Sequence, residues 1–184
     1  DVDDADALTA FFDSMQALIE SDSLLASQDR SDGGLFTTLA EMAFAGHIGV
    51  SVDISALDND AMAVLFNEEL GGVIQVKADQ AEQVLEQFSK ANINAHAIGT
   101  INRADTIDIS SNGDLLFSKP RTELQEHWSR TSYQIAARRD NADCVKEEFD
   151  RIANADAGLS AKLSYDPSDD ICAPYIQKGA KPKM

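Results

Sequence analysis

Asp29, Ser31 and Asp32 stand together in the run Gln28-Asp29-Arg30-Ser31-Asp32 and lead straight into a glycine pair, Gly33-Gly34. Carboxylates are hard oxygen donors of the kind that Mg²⁺ takes, and the ion usually shares them with substrate phosphates. Glycines let backbone N–H groups approach an anion, and a helix N-terminus is electropositive. The chemistry available to such a turn is therefore to hold a metal and a phosphate, with Asp29 and Asp32 as candidate metal ligands and Gly33 and Gly34 allowing close approach of backbone to the anion. Asp and Ser are also ordinary helix caps, and Gly-Gly is ordinary turn chemistry, so the residues alone fit a cap as well as a ligand site.

Such a turn needs a strand before it and a helix after it. Leu24-Leu25-Ala26 reads as a short buried strand, and Leu35, Leu39, Met42 and Ala43 recur at helical spacing until Gly46. A first helix, capped by Asp4 or Asp6, carries Leu8, Phe11, Phe12, Met15, Leu18 and Ile19 on one face. Residues 47–54 alternate as a strand does. Asp58 or Asn59 opens a short helix through Met62, Leu65 and Phe66, and Gly71-Gly72 closes it before the strand Val73 to Val76. Asp79 caps a helix bearing Val84, Leu85 and Phe88, and Ala95 to Ile101 is a strand. Thr106 to Ser110 then pairs with Leu115 to Ser118 across an Asn112-Gly113 turn. This alternation predicts an α/β fold (α+β-like), a mixed β-sheet covered by helices.

After Pro120 the pattern turns helical. Leu124, Trp128, Thr131 and Ile135 follow one stripe, and a second helix over 142–153 turns Val145, Phe149 and Ile152 inward. Trp128 and Tyr133 fit either a partner surface or packing onto the preceding domain. The last thirty residues hold three of the four prolines and show no period, which predicts an irregular tail.

Charge supports a boundary at the same place. Up to Ser118 there are 21 acidic and 4 basic residues, whereas from Lys119 onward there are 11 of each. The division expected is thus 1–118 and 119–184. A net charge of −17 argues against nucleic acid, which needs Lys and Arg to neutralise phosphates. No apolar run approaches the roughly 18 residues of a membrane span, and the acidic start, without Met, reads as a processed chain or an excised piece rather than a signal peptide. Cys144 and Cys172 belong to no CxxC pattern and read as buried, reduced thiols of a cytoplasmic protein.

Other chemistries find little support. His47, His96 and His127 share no ligand spacing, and neither a G-x-S-x-G elbow nor a P-loop is present. Cys144 lies in an acidic helical stretch, an unsuitable setting for a glutaminase nucleophile, which works as a thiolate. Glu68-Glu69 could bind a cation, although two acids near a helix end are usually solvated.

The run Asp29 to Leu35, followed by Thr38 to Gly46, resembles the C-terminal-type domain of the aminoimidazole ribonucleotide (AIR) synthetase superfamily. More narrowly it resembles the second such domain of the large, single-chain phosphoribosylformylglycinamidine synthases. Leu65-Phe66-Asn67-Glu68-Glu69-Leu70-Gly71 before Val73 to Val76 carries the narrower likeness. So do Lys119-Pro120-Arg121-Thr122-Glu123-Leu124, Trp128, Thr131-Ser132-Tyr133 and Arg139-Asp140-Asn141, which resemble the connector. Leu163-Ser164-Tyr165-Asp166-Pro167, Ala173-Pro174-Tyr175-Ile176 and Gly179-Ala180-Lys181-Pro182-Lys183 resemble the segment before the glutaminase domain. The connector and tail argue against the sister families, selenophosphate synthetase and thiamine-monophosphate kinase.

The resemblance implies a fragment of an ATP- and glutamine-dependent C–N ligase of purine biosynthesis, which converts formylglycinamide ribonucleotide to its amidine. It implies Mg²⁺ and ATP or ADP as cofactors, with Asp29 on the metal and Ser31 on the nucleotide phosphates. Its partners would be the ATP-binding AIR-synthetase-like domains and the glutaminase domain of the same enzyme, and the segment alone would be inactive. Gln28 departs from the family, which usually has His there, and so cannot carry a proton. A non-catalytic scaffold with the same fold is the alternative.

Overall fold

The computed structural model describes residues 4–155 and 158–176. Packing divides the chain into a body up to Asn154 and a second unit from Ala155.

In the body, helix α1 (Ala5–Glu20) begins where the Asp4 carboxylate accepts the amides of Asp6 and Ala7 at 3.0 and 2.9 Å. Strand β1 (Leu24–Asp29) and helix α2 (Gly34–Gly46) flank the Asp29–Gly34 turn. There follow β2 (Gly49–Asp53), α3 (Ala61–Phe66), β3 (Gly72–Val76), α4 (Ala81–Lys90), β4 (Gly99–Asn102), β5 (Thr106–Ser111) and β6 (Asp114–Pro120). Helices α5 (Arg121–Arg139) and α6 (Ala142–Asp150) and a 3-10 turn (Arg151–Ala153) complete it.

The architecture is the expected mixed one, with its strands divided between two sheets. One sheet has the order β4-β2-β5-β6, with β2 parallel to β5 and the other neighbours antiparallel. Its β5–β6 hairpin turns at Asn112 and Gly113, both at positive φ (52° and 87°), as a two-residue Asn-Gly turn requires. The other sheet is an antiparallel β1–β3 ribbon in which Ser27 faces Ile74 and Asp29 faces Gly72.

Two apolar cores follow from this division. Leu35 and Leu39 of α2 pack with Val52, Ile54, Leu65 and Ile109, and the same helix sets Ala40, Ala43 and Phe44 against Ile107. Leu18 of α1 packs with Val84 and Phe88 of α4 over the β1–β3 ribbon. Helix α2 thus touches both sheets, which places the turn at its N-terminus between them.

Several local expectations give way to tertiary context. β1 is six residues long and half-exposed, with Leu25 facing outward, because only one face of the ribbon is covered. Asp60, not Asp58 or Asn59, caps α3. The N-cap of α4 is Gln80 without a side-chain bond, rather than Asp79. β4 starts at Gly99, not Ala95. The α5 stripe is not buried: Trp128 and Ile135 are each 60% exposed, and Arg121 is the buried residue of that helix. Both cysteines are free and exposed instead of buried. Cys144 adjoins Val145, which takes the inward position on α6.

The sheet's outer side carries a polar cluster around Asp108. Ser118 Oγ donates to Oδ1 at 2.6 Å and Thr106 Oγ1 to Oδ2 at 2.7 Å. The Ser118 bond, aided by Thr106 and Ser51, holds this carboxyl below the ordinary 3.8 against the opposing effect of burial. A depressed folded value means that the contribution is whole above the unfolded pKa and vanishes as pH falls through the folded one. Asp108→Asn is expected to lose about 1 kcal/mol at pH 7 in urea unfolding, and the gap to wild type should close below roughly pH 4. A gap independent of pH would contradict this account.

The second unit, over 158–176, consists of turns. Asp166 accepts the Ser168 amide and hydroxyl, and Asp170 accepts the amides of Cys172 and Ala173. Residues 179–183 of the connector-like tail lie outside the described residues. Among the described residues no helix is long and apolar enough to cross a membrane.

Candidate functional site

β1 ends at Asp29, where the ladder to β3 stops, and Arg30 is the hinge of the turn that follows. Its amide donates to Gly71 O at 2.8 Å, and its guanidinium donates to the carbonyls of Glu69 (2.7 Å) and Leu70 (3.3 Å). The arginine therefore straps the turn to the segment leaving α3 and is spent on neutral oxygens. Asp29 and Ser31 are both exposed, and neither side chain makes a hydrogen bond or ion pair among the described residues. Only their backbones are engaged: Thr38 Oγ1 donates to Asp29 O at 3.3 Å, and the Gly34 amide donates to Ser31 O at 2.9 Å.

The two glycines carry the left-handed backbone of the turn, with φ of 81° at Gly33 and 66° at Gly34. Gly33 is the N-cap of α2 and no side chain of the Asp/Ser run caps it, so the ordinary helix-cap reading does not describe this turn. Glu68 supplies the missing acceptor from across the fold, its Oε1 taking the Gly33 amide at 2.8 Å. A carboxylate thus sits on the amide that could meet a phosphate. Gly34 is close-packed for an internal reason. A Cβ there would lie 2.7 Å from Leu65 O and 2.9 Å from Asn67 O.

Gln28, the departure from the family pattern, donates from Nε2 to Glu41 Oε2 at 2.6 Å. Trp128 Nε1 of α5 donates to the other oxygen, Oε1, at 3.0 Å. Spacing singles out neither Glu41 nor Arg30, and by itself it suggests a solvated Glu68. All three act through partners 13 to 87 residues away in the chain.

Mg²⁺ is commonly held by one or two carboxylates and completed by phosphates and water. Among the described residues no group of three or more His, Cys, Asp or Glu is placed to hold a metal ion. The turn offers two unengaged, exposed carboxylates, Asp29 and Asp32, and one unengaged hydroxyl, Ser31, which fits a contribution to such a site and not the whole of it. Two recesses, of about 260 and 450 Å³, are lined by Ile19, Asp22 and residues 24–27, and by residues of α5, α6 and the 3-10 turn with His47; neither borders residues 29–34.

Residues 1–111 match the family described as AIR synthase related protein, C-terminal domain. Among solved structures, Thermotoga maritima PurL complexed with ATP superposes with a TM-score of 0.61 at 19% identity, covering 67% of this chain and 22% of that one. PurL from the same organism complexed with ADP gives 0.61 at 18%, again over 67% and 22%. Phosphoribosylformylglycinamidine synthase II of T. maritima gives the same figures as the ADP complex. At these identities the likeness is one of fold, and the chain spans about a fifth of the length of the structures it matches. The match over residues 1–111, more than half of the sequence, shows that the chain belongs to the AIR synthase related C-terminal domain family.

Proposed function

We propose that this chain is part of a phosphoribosylformylglycinamidine synthase, the cytoplasmic ATP- and glutamine-dependent ligase that makes formylglycinamidine ribonucleotide. In this reading residues 1–118 are the AIR-synthetase C-terminal-like domain, and 119–184 form the connector and tail toward a glutaminase domain. The domain contributes part of a Mg²⁺–nucleotide site, Asp29 as the metal ligand and Ser31 as the contact to nucleotide phosphates, with Gly33 and Gly34 lending close backbone. ATP, when bound, supplies the phosphoryl group that activates the formamide oxygen.

The observation that carries the reading is the unengaged, exposed carboxylate of Asp29 beside the opening of α2, in a chain of this family. Asp29 has no competing cation, since Arg30 is bonded to carbonyls. Ser31 can turn its hydroxyl outward while its carbonyl holds Gly34. The Gly33 amide is given to Glu68, so a phosphate must displace that carboxylate to use it. Gln28 donates a hydrogen bond to Glu41 and carries no proton, which suits a nucleotide-holding role better than acid–base chemistry.

Titration of ADP with Mg²⁺ into the complete synthase, wild type and Asp29→Ala, tests the site. Losing one charged contact should weaken binding by on the order of 10- to 100-fold. Equal affinity in both would overturn the assignment. Turnover of formylglycinamide ribonucleotide with glutamine by this chain alone would overturn the fragment reading.

A second reading, a scaffold that retains the fold without binding nucleotide, is favoured by one observation. The amides of Gly33 and Gly34 already have partners within the chain. Absence of ADP binding in the complete synthase, with folding intact, would decide for it.

A further inference from the structure

The Glu41 side chain joins three elements beside the turn. It lies in the middle of α2, takes Gln28 of β1 on Oε2 and takes Trp128 of α5 on Oε1. Both oxygens are thereby engaged, each by a donor from a different element. The Trp128 ring also rests against Phe44, one helical turn on from Glu41, with centroids 6.0 Å apart. Phe44 is buried, so the ring has a fixed platform beneath it. Gln28 immediately precedes Asp29, and α2 makes a second contact there through Thr38 Oγ1 to Asp29 O. One turn before Trp128, Leu124 packs against the Ala40, Ala43, Phe44 and Ile107 cluster, whereas Ile135 further along the helix is exposed.

We propose that Glu41 is a positioning residue that couples α5 to the strand end carrying Asp29, through Trp128 on one carboxylate oxygen and Gln28 on the other. A displacement of α5 that draws Trp128 from Phe44 removes one of the carboxylate's two donors and leaves Gln28 as its sole partner. The end of β1 then loses the fixed acceptor that sets its distance from α2. What the coupling serves rests on the nucleotide-site reading above, for α5 is there the connector. The coupling itself does not depend on that reading.

Trp128→Phe is the chosen variant because it keeps an aromatic ring at this position while deleting the N–H together with part of the indole. Amide hydrogen exchange of this chain, without nucleotide, provides the readout. The Arg30 and Gly33 amides are hydrogen-bonded and therefore protected. Exchange over residues 28–34 should rise roughly three- to tenfold in Trp128→Phe, with the β5 amides at Ile107 and Ile109 unchanged. Glu41→Gln, which replaces one acceptor oxygen by a donor, should raise the same segment. Asp29→Ala, which leaves the bridge intact, should not. A change confined to α5 would overturn the proposal, and so would a uniform rise over the whole body. ADP titration fails or succeeds separately, so loss of the nucleotide reading is distinguishable from loss of the coupling.

Discussion

Gly34→Ala is expected to be among the most damaging single-methyl changes in this chain, lowering stability by about 2–5 kcal/mol with no ligand present. Two costs combine. A residue with a side chain at φ 66° loses about 1–2 kcal/mol relative to glycine. The new Cβ would also meet two carbonyl oxygens, of Leu65 at 2.7 Å and Asn67 at 2.9 Å, and backbone cannot swing aside as a flexible side chain can. Overpacking of that kind typically costs about 1–3 kcal/mol. For a body of this size the loss corresponds to a fall in Tm of roughly 5–15 °C. Gly113→Ala is the control. Gly113 has φ 87° and nothing within 4 Å of a Cβ, so only the conformational cost applies. Calorimetric melting of both variants separates the two costs. If Gly34→Ala is no worse than Gly113→Ala, the glycine is not there for the approach of α2 to the end of α3.

That comparison shows where sequence reasoning reached and where it stopped. Periodicity is a local property, so α2 was legible from Leu35, Leu39, Met42 and Ala43 and runs Gly34–Gly46. The Asn112-Gly113 hairpin was legible because its turn needs two positive φ values that few residue pairs supply. The positive φ of Gly33 and Gly34 belongs to the same class of local signal. The reason for Gly34 was not legible, because its neighbours at 65 and 67 arrive through the β1–β3 pairing and the packing of α3 on α2. The role of Glu68 was hidden for the same cause: an acid near a helix end looks solvated until the register brings it to a glycine amide. The stripe on α5 misled in the opposite sense. Its spacing is that of a buried face, yet Trp128 and Ile135 are mostly exposed, and polar contacts join Leu124 and the Tyr133–Phe149 stack in holding the helix.

The strongest of those polar contacts gives the second large expected effect. Arg121, 4% exposed, opens α5, and its guanidinium forks onto Asp105, Nε to Oδ1 at 2.6 Å and Nη2 to Oδ2 at 3.0 Å. Nη1 donates to Gln125 Oε1 at 2.5 Å, and the Arg121 amide donates to Asp105 O at 2.8 Å. Breaking a fully buried pair costs about 3–5 kcal/mol. The Asp105 side chain is 42% exposed, so water screens the carboxylate side and the expected loss in Arg121→Met is nearer 2 kcal/mol. Arg121→Lys should recover less than half of it, because one ammonium cannot reproduce a fork that reaches both oxygens of Asp105 and also Gln125. Urea unfolding of Arg121→Met, Asp105→Asn and the double variant measures the pair directly. A coupling of at least about 1 kcal/mol is expected, and additivity within about 0.3 kcal/mol would show that the fork contributes nothing. Arg121 fixes where α5 leaves the sheet, and Glu41 fixes its side against α2. Loss of the first contact should therefore loosen the second, and exchange at residues 28–34 should rise in Arg121→Met as it does in Trp128→Phe.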